Sequence, residues 1–190
     1  MKQKQNLSTA DMSYIAMMTV VIAVCSWIYV PSAVPFTMQT FGVFCALGLL
    51  GGRRGFLAVL LYVLMGAAGL PVFSGFTGGL GQLLGPTGGY ILGFLLMALA
   101  YRLTDRRPER SLKSMAAAML LGLALCYAFG TAWFTFVYSR ASGPIGPLTA
   151  LAWCVFPFLL PDAIKLSLAL LLIKTLGKYI KFGRVTNSER

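Results

Sequence analysis

Long apolar stretches, separated by short polar or basic segments, run along the whole chain. They cover residues 13–30, 36–50, 56–69, 88–103, 114–138 and 151–176. A helix that spans a bilayer needs about 20 mostly apolar residues, with a range of about 17–25. The second, third and fourth stretches are short for this purpose, so we expect flanking extension, a small tilt or local thinning of the bilayer. The pattern predicts six membrane-spanning helices.

The composition supports a membrane protein. The 190 residues are 58% hydrophobic and only 11% charged, which leaves more apolar surface than a soluble domain of this size can bury. We therefore expect an all-α integral membrane protein with a single membrane domain over residues 1–190. The first apolar stretch follows a polar segment and precedes further spans, so we expect a retained helix rather than a cleaved signal peptide.

Basic residues predict the orientation of the helices. The chain carries 16 basic and 5 acidic residues, a net charge of +11. The basic residues cluster before the first predicted helix and after the second, fourth and sixth, at Lys2, Lys4, Arg53, Arg54, Arg102, Arg106, Arg107, Arg110, Lys113, Lys174, Lys178, Lys181, Arg184 and Arg190. The other connections contain Arg140 alone. By the positive-inside rule both termini are cytoplasmic, and this placement favours anionic lipid over nucleic acid as the partner.

Several kinds of site are disfavoured by the residues that are missing. Histidine is absent, which excludes His-based catalysis and His-ligated metals. The cysteines, Cys25, Cys45, Cys126 and Cys154, have no CxxC spacing and are interpreted as small buried hydrophobes. Asp162 is the only acidic residue within a predicted span, so an intramembrane enzyme lacks its catalytic set. We expect no metal, no cofactor and no enzymatic activity.

A glycine-rich segment without any charge, GLPVFSGFTGGLGQLLGPTGGY, covers residues 69–90. The predicted orientation places it outside, as an irregular loop between the third and fourth helices. It has no P-loop pattern, so a phosphate site is disfavoured. Two alternatives stay open: a compact external loop without a ligand, or the wall of a binding site, in which glycines allow close approach and backbone N–H groups donate.

Two ionisable residues, Asp162 and Lys165, lie inside the last predicted span. Such groups cost about 3 kcal/mol or more each and indicate a functional site by default. Three residues apart, they share a helix face in the outer part of the span, on the side of the glycine-rich segment. The alternative is an ion pair that only holds the bundle together, although buried pairs add little net stability. Uncharged polar and aromatic residues of the same side could complete a pocket: Phe36, Thr37, Gln39, Thr40, Tyr127, Gly130 and Trp133.

Four strings of the chain resemble a known family in order and spacing. They are VPFTMQTF (34–41), GLPVFSGFTGGLGQLLGPTGGYILGF (69–94), FGTAWF (129–134) and PDAIK (161–165). Together they resemble the BioY family, the biotin-specific substrate-capture (S) component of energy-coupling-factor transporters, over essentially the whole chain. The resemblance implies a six-helix, high-affinity biotin-binding protein of a bacterial cell membrane. It also implies a transmembrane coupling subunit and two cytoplasmic ABC-type ATPases as partners. The chain itself has no nucleotide-binding motif.

The resemblance also implies roles for individual residues. Asp162 is expected to accept a hydrogen bond from a ureido N–H of biotin, and Lys165 to donate to the ureido oxygen or to the carboxylate. Further substrate-binding residues are expected to be Phe36, Gln39, Gly78, Gly79, Tyr90 and Trp133. A different vitamin on the same fold is the alternative.

The first helix carries the predicted contacts with the coupling subunit. Small residues let helices approach closely, and Ala16, Thr19 and Ala23 are the expected contacts. Their spacing departs from the AxxxA-like pattern of the family. Packing inside the bundle is therefore an equally good interpretation of these three residues.

Overall fold

The computed structural model describes residues 7–31, 34–105 and 111–177. Its elements in chain order are α1 Thr9–Trp27, β1 Tyr29–Val30, β2 Phe36–Thr37, α2 Gln39–Ala67, a 3₁₀ turn Ser74–Phe76, α3 Leu80–Leu84, α4 Gly88–Thr104, α5 Leu112–Ser142, α6 Pro147–Cys154 and α7 Phe156–Leu176. By length and composition, α1, α2, α5 and the α6–α7 stretch can each cross a membrane, and α4 is a shorter apolar helix. The expected all-helical architecture with several apolar helices is confirmed, and it is consistent with an integral membrane protein.

Helix α2 is a hairpin of two antiparallel arms, 39–50 and 52–67. Gly51 separates the arms with φ 79° and ψ 176°, a conformation that only glycine adopts without strain. The Gln39 side-chain amide lies 2.8 Å from the Tyr62 hydroxyl. In a straight helix these residues would be about 34 Å apart, so the chain must reverse between them. The arms correspond to the predicted stretches 36–50 and 56–69.

Polar contacts join α1, α2 and α4 at the end of the bundle where α2 reverses its direction. The first turn of α1 has a capping box, in which Ser8 and Asp11 bond to each other's backbone N–H groups. Asp11 also forms an ion pair with Arg54, with 2.8 Å between Nε and Oδ1. The Gly52 N–H donates to Asp105 Oδ2 over 2.6 Å. These contacts place the start of α1, the reversal of α2 and the end of α4 at one level.

The helix boundaries differ from the predicted ones where caps and loops intervene. Helix α1 begins at Thr9 because the capping box precedes the apolar stretch, and it ends at Trp27, before a two-residue antiparallel pairing of β1 with β2. The last predicted span begins earlier, at Pro147, and is interrupted at Val155. Most basic residues of the terminal and 106–110 segments, on which the predicted orientation partly depends, lie outside the described residues.

The core lies between α1, the α2 hairpin, α4, α5 and α7. Tyr62, Tyr101 and Phe44 are among its largest fully buried side chains. Glycine lets α4 and α5 approach closely, because a β-carbon on Gly93 would lie only 2.8 Å from the Cys126 sulfur. This packing leaves a space between the helices on the side of the glycine-rich segment.

Candidate functional site

A cavity of about 320 Å³ opens between the α1–α2 connection, the glycine-rich segment, α4, α5 and α7. This volume lies at the lower end of the range of about 300–1,000 Å³ for small-molecule sites. Its lining combines apolar and polar side chains: Tyr29, Val34, Pro35, Thr37, Gln39, Thr40, Ser74, Gly75, Thr77, Gln82, Thr87, Tyr90, Ile91, Phe94, Cys126, Tyr127, Cys154, Phe158, Asp162 and Lys165. Residues far apart in the chain thus form a single concave site.

Asp162 is the centre of a buried hydrogen-bond network at this cavity. Its side chain is 2% exposed, and one carboxylate oxygen, Oδ1, accepts from Lys165 Nζ and from the Thr40 hydroxyl, each over 2.8 Å. The Tyr127 hydroxyl donates to the other oxygen, Oδ2. We refer to Thr40, Tyr127, Asp162 and Lys165 as the Asp162 network. It brings α2, α5 and α7 together.

Lys165 connects the network to the α1–α2 connection. Its ammonium group donates to the Thr37 carbonyl over 2.6 Å and to the Thr40 hydroxyl over 3.2 Å. The same group lies 4.1 Å from the centre of the Phe36 ring, within cation–π distance. With the bond to Asp162, its three N–H donors have three oxygen acceptors. The ammonium and the carboxylate balance each other, so the Asp162 network carries no net charge.

Gln39 and Tyr90 also line the cavity, each oriented by a hydrogen bond. The Gln39 amide donates to the Tyr62 hydroxyl, and both groups are buried. The Tyr90 hydroxyl lies 2.9 Å from the Thr131 hydroxyl and 3.5 Å from the Cys154 carbonyl oxygen. Four of the residues predicted for the site, Gln39, Tyr90, Asp162 and Lys165, are therefore brought together around one space.

The other predicted ligand contacts lie in the walls behind the cavity rather than among its lining residues. The Gly79 N–H donates to the Gly66 carbonyl over 2.7 Å, and Gly78 packs against the Leu70 carbonyl. The Trp133 indole N–H donates to the Gly85 carbonyl over 3.0 Å. Phe36 contacts Lys165 and stacks on Phe158. A ligand contact for these four residues stays a prediction.

Thr37, Thr40 and Tyr127, which the sequence predicts as candidate pocket residues, line the cavity. Nothing local in the sequence indicates that Thr40 and Tyr127 meet Asp162. Gln82 stands out as a long polar side chain in the glycine-rich segment, and that signal could have been used. Cys126 and Cys154 are buried, as interpreted, and they line the cavity as well.

The three predicted coupling contacts of α1 differ in exposure. Ala16 is exposed, whereas Thr19 is 1% and Ala23 is 5% exposed. The Thr19 hydroxyl lies within hydrogen-bond distance of the Ile15 and Ala58 carbonyls. Thr19 and Ala23 therefore pack within the bundle, whereas Ala16 lies on the surface, where a coupling subunit could contact it.

The part of the chain that the structure describes has no group of three or more Cys, Asp or Glu side chains close enough to bind a metal ion. The cavity offers hydrogen-bond donors and acceptors together with apolar surface. Such a lining suits an organic molecule with a small polar head and an apolar body.

Comparisons with known proteins point to one family. The family model described as the BioY family matches residues 1–182. The chain is 41% identical over 161 residues to the biotin transporter BioY of Thermotoga maritima, which covers 84% of this chain and 91% of that protein. It is 37% identical over 153 residues to the biotin transporter BioY of Rhodobacter capsulatus, with 77% of this chain and 80% of that protein covered.

A solved structure is similar over nearly the full length. It is described as the crystal structure of the S-component for biotin from an ECF-type ABC transporter. The TM-score is 0.76 at 27% sequence identity, and the match covers 94% of this chain and 95% of the other.

Proposed function

The chain belongs to the BioY family, and from that premise we propose that it is the biotin-binding S component of an ECF-type uptake transporter. It captures biotin with high affinity from the outer face and delivers it with a coupling subunit and two ATPases. Its relatives are transporters, so the protein is a transport subunit and not an enzyme.

The observation that carries this function is the Asp162 network at the wall of the cavity. Biotin has a ureido group with two N–H donors and one carbonyl acceptor, next to an apolar thiophane ring. Asp162 accepts three hydrogen bonds and a carboxylate has about four acceptor sites, so one site remains for a ureido N–H. Lys165 can exchange its bond to the Thr37 carbonyl for a bond to the ureido oxygen. A buried site built from such groups rejects molecules that leave its donors and acceptors unpaired.

The charge balance of the network indicates which end of biotin it binds. Lys165 is already paired with Asp162, so a ligand carboxylate beside them would be an additional unpaired buried charge, which is costly. The neutral ureido group therefore faces the Asp162 network. The valeryl carboxylate points toward Ser74, Thr77 and Gln82 of the glycine-rich segment, which line the same cavity.

The proposal includes a topology and a partner surface. The two arms of α2 count as two crossings, so the chain crosses the bacterial cell membrane six times with both termini in the cytoplasm. The exposed face of α1 that carries Ala16 contacts the coupling subunit. Lipid acyl chains cover the remaining apolar helix faces.

Titration calorimetry of the purified protein with biotin, riboflavin and thiamine tests the ligand. We expect saturable biotin binding in the nanomolar range and no binding of the other two. Preference for another vitamin, in a preparation shown to be folded, would keep the fold and refute the assigned substrate.

Biotinamide, in which the biotin carboxylate is replaced by a primary amide of nearly the same size, tests the orientation separately. Because the carboxylate lies among uncharged groups, biotinamide is expected to bind within about tenfold of biotin, less than 1.4 kcal/mol of difference. A loss of more than about a hundredfold for biotinamide would place the carboxylate at Lys165 instead.

A further inference from the structure

Four large apolar side chains of the glycine-rich segment are exposed on the surface of the protein. Leu70, Phe76, Leu80 and Leu84 are 46%, 62%, 64% and 67% exposed, respectively. We call these four residues the outer patch. No charged residue occurs anywhere in 69–90. A segment in water with this composition would leave an apolar surface uncovered, which soluble surfaces rarely do.

The flanking helices are too short to lift the segment clear of the bilayer. Arm 52–67 of α2 is about 24 Å long and α4 is about 26 Å long at 1.5 Å per residue. The arm begins and α4 ends at the same level, because the Gly52 N–H contacts the Asp105 carboxylate over 2.6 Å. The hydrocarbon core is about 30 Å thick. If charged residues mark its cytoplasmic edge, the other ends of both helices lie within it.

The segment then folds back toward α2 instead of projecting outward. The Leu70 N–H donates to the Met65 carbonyl over 3.1 Å. The Gly79 N–H returns to the Gly66 carbonyl over 2.7 Å. Helix α3 starts at Leu80 directly after this contact, so it lies at the level of the last turn of α2.

Side chains from neighbouring helices satisfy carbonyl groups of the segment. Trp27 donates its indole N–H to the Pro71 carbonyl over 2.9 Å, and Trp133 donates to the Gly85 carbonyl over 3.0 Å. The Ser26 hydroxyl donates to the Val72 carbonyl. Backbone at membrane depth needs such internal partners because lipid offers none, whereas backbone in water does not. Tryptophan is also the residue typical of the bilayer interface.

From these observations we propose that residues 69–87 form an interfacial element immersed in the outer leaflet, with the outer patch against lipid acyl chains. Apolar side chains of the flanking helices are exposed as well, for example Leu64 at 55% and Leu99 at 41%, so the outer patch and these helix faces share one partner, the membrane, rather than another protein. Ser74, Gly75, Thr77 and Gln82 of the same segment line the cavity. The segment that forms one wall of the cavity therefore contacts the bilayer with its opposite face.

Spin labelling in nanodiscs of stated lipid composition (phosphatidylcholine with phosphatidylglycerol) tests this placement. A nitroxide is attached to Leu84→Cys, and its collision rates with oxygen and with a water-soluble nickel chelate are measured. Leu171→Cys, on the exposed face of α7, is the control in lipid, and Ser111→Cys, exposed before α5, is the control in water. The unmodified chain, in which the cysteines are buried, is the labelling blank.

We expect the oxygen-to-nickel ratio at residue 84 to be within about twofold of that at 171 and several times that at 111. A ratio equal to that of Ser111→Cys would place the segment in water and overturn the proposal. Low collision rates with both reagents would mean that a second copy of the chain covers the patch, which would also overturn it. If Leu84→Cys does not fold, the same collision rates are measured on Gly81→Cys, with the same expected ratio. A β-carbon at Gly81 meets nothing within 4 Å.

Discussion

Asp162 and Lys165 illustrate how a buried charge is tolerated in this protein. Each is almost fully buried and is held by hydrogen bonds to the other and to Thr37, Thr40 or Tyr127. A pair of this kind contributes little net stability compared with hydrophobic residues, so its presence needs a functional reason. We propose that pairing with a polar ligand is that reason.

The first prediction concerns the stability of the pair. Lys165→Met leaves the Asp162 carboxylate buried without its cation, so we expect a loss of about 3–5 kcal/mol in the free energy of unfolding. Asp162→Asn combined with Lys165→Met leaves no buried charge and is expected to recover most of that loss. Unfolding in detergent measures both variants and Asp162→Asn alone, which the comparison with additivity requires. Simple addition of two destabilising effects would contradict the interpretation of the residues as a coupled pair.

The second prediction concerns Tyr127. Tyr127→Phe removes the hydroxyl that donates to Asp162 and leaves the ring in place, so biotin affinity is expected to fall by about threefold to thirtyfold, equivalent to about 0.7–2 kcal/mol. Tyr138→Phe is the matched control, because Tyr138 lies on the same helix and stacks on Phe134. Equal biotin affinities for the two variants, measured by calorimetry, would show that the Tyr127 hydroxyl does not contribute to biotin binding.

At the scale of elements, glycines and caps decide where the apolar stretches become helices. Gly51 turns α2 into a hairpin, and the glycine-rich segment places short helical pieces between α2 and α4. The sequence predicted the two arms of α2 as separate stretches because basic residues interrupt the hydrophobic pattern near the reversal. It did not predict the short β1–β2 pairing or the interruption at Val155, since two-residue strands and single off-helix residues leave no periodic signal.

Much of the candidate site was predictable for a physical reason. Ionisable residues are expensive within a span, so Asp162 and Lys165 stood out. The partners of Asp162 could not be predicted from spacing, because Thr40 lies 122 positions and Tyr127 35 positions away along the chain. The Gly79 N–H, which the sequence predicts as a ligand donor, is instead bonded to the Gly66 carbonyl. The indole N–H of Trp133, which the sequence predicts as an aromatic pocket residue, is bonded to the Gly85 carbonyl. Only tertiary packing decides which donors remain for a ligand.

The third prediction tests the reversal of α2. Gly51→Ala forces a β-carbon into a backbone conformation with φ 79°, so we expect a loss of about 1–3 kcal/mol in the free energy of unfolding. Gly81→Ala, in α3, is the control, because its β-carbon meets no atom within 4 Å. Thermal unfolding in detergent compares the two. Equal stability would show that α2 does not need this glycine to reverse.

At the scale of the whole molecule, one end is ionic and the other is apolar and holds the cavity. The Asp11–Arg54 pair and the Gly52–Asp105 contact lie at the ionic end. The cavity opens among the α1–α2 connection and the glycine-rich segment at the opposite end. This polarity suits a subunit that collects its ligand on one side of the membrane and meets its partners on the other.

The fourth prediction concerns topology. With six crossings, green fluorescent protein fused to either terminus is expected to fluoresce, and alkaline phosphatase fused to either terminus to be inactive. A phosphatase fusion after Gly143, in the α5–α6 connection, is the positive control for the outside and is expected to be active. Phosphatase activity at one terminus alone would require an odd number of crossings and contradict the hairpin as two spans.

The central claim, that this cavity binds biotin through Asp162, is tested most directly by titrating Asp162→Asn with biotin in nanodiscs. Asparagine keeps the shape but removes the charge and replaces one acceptor by a donor, so we predict a loss in affinity of more than about tenfold, or 1.4 kcal/mol. Ser167→Ala, on the exposed face of the same helix, is expected to bind like the unmodified protein. Unchanged affinity in a folded Asp162→Asn protein would contradict the account and place biotin elsewhere.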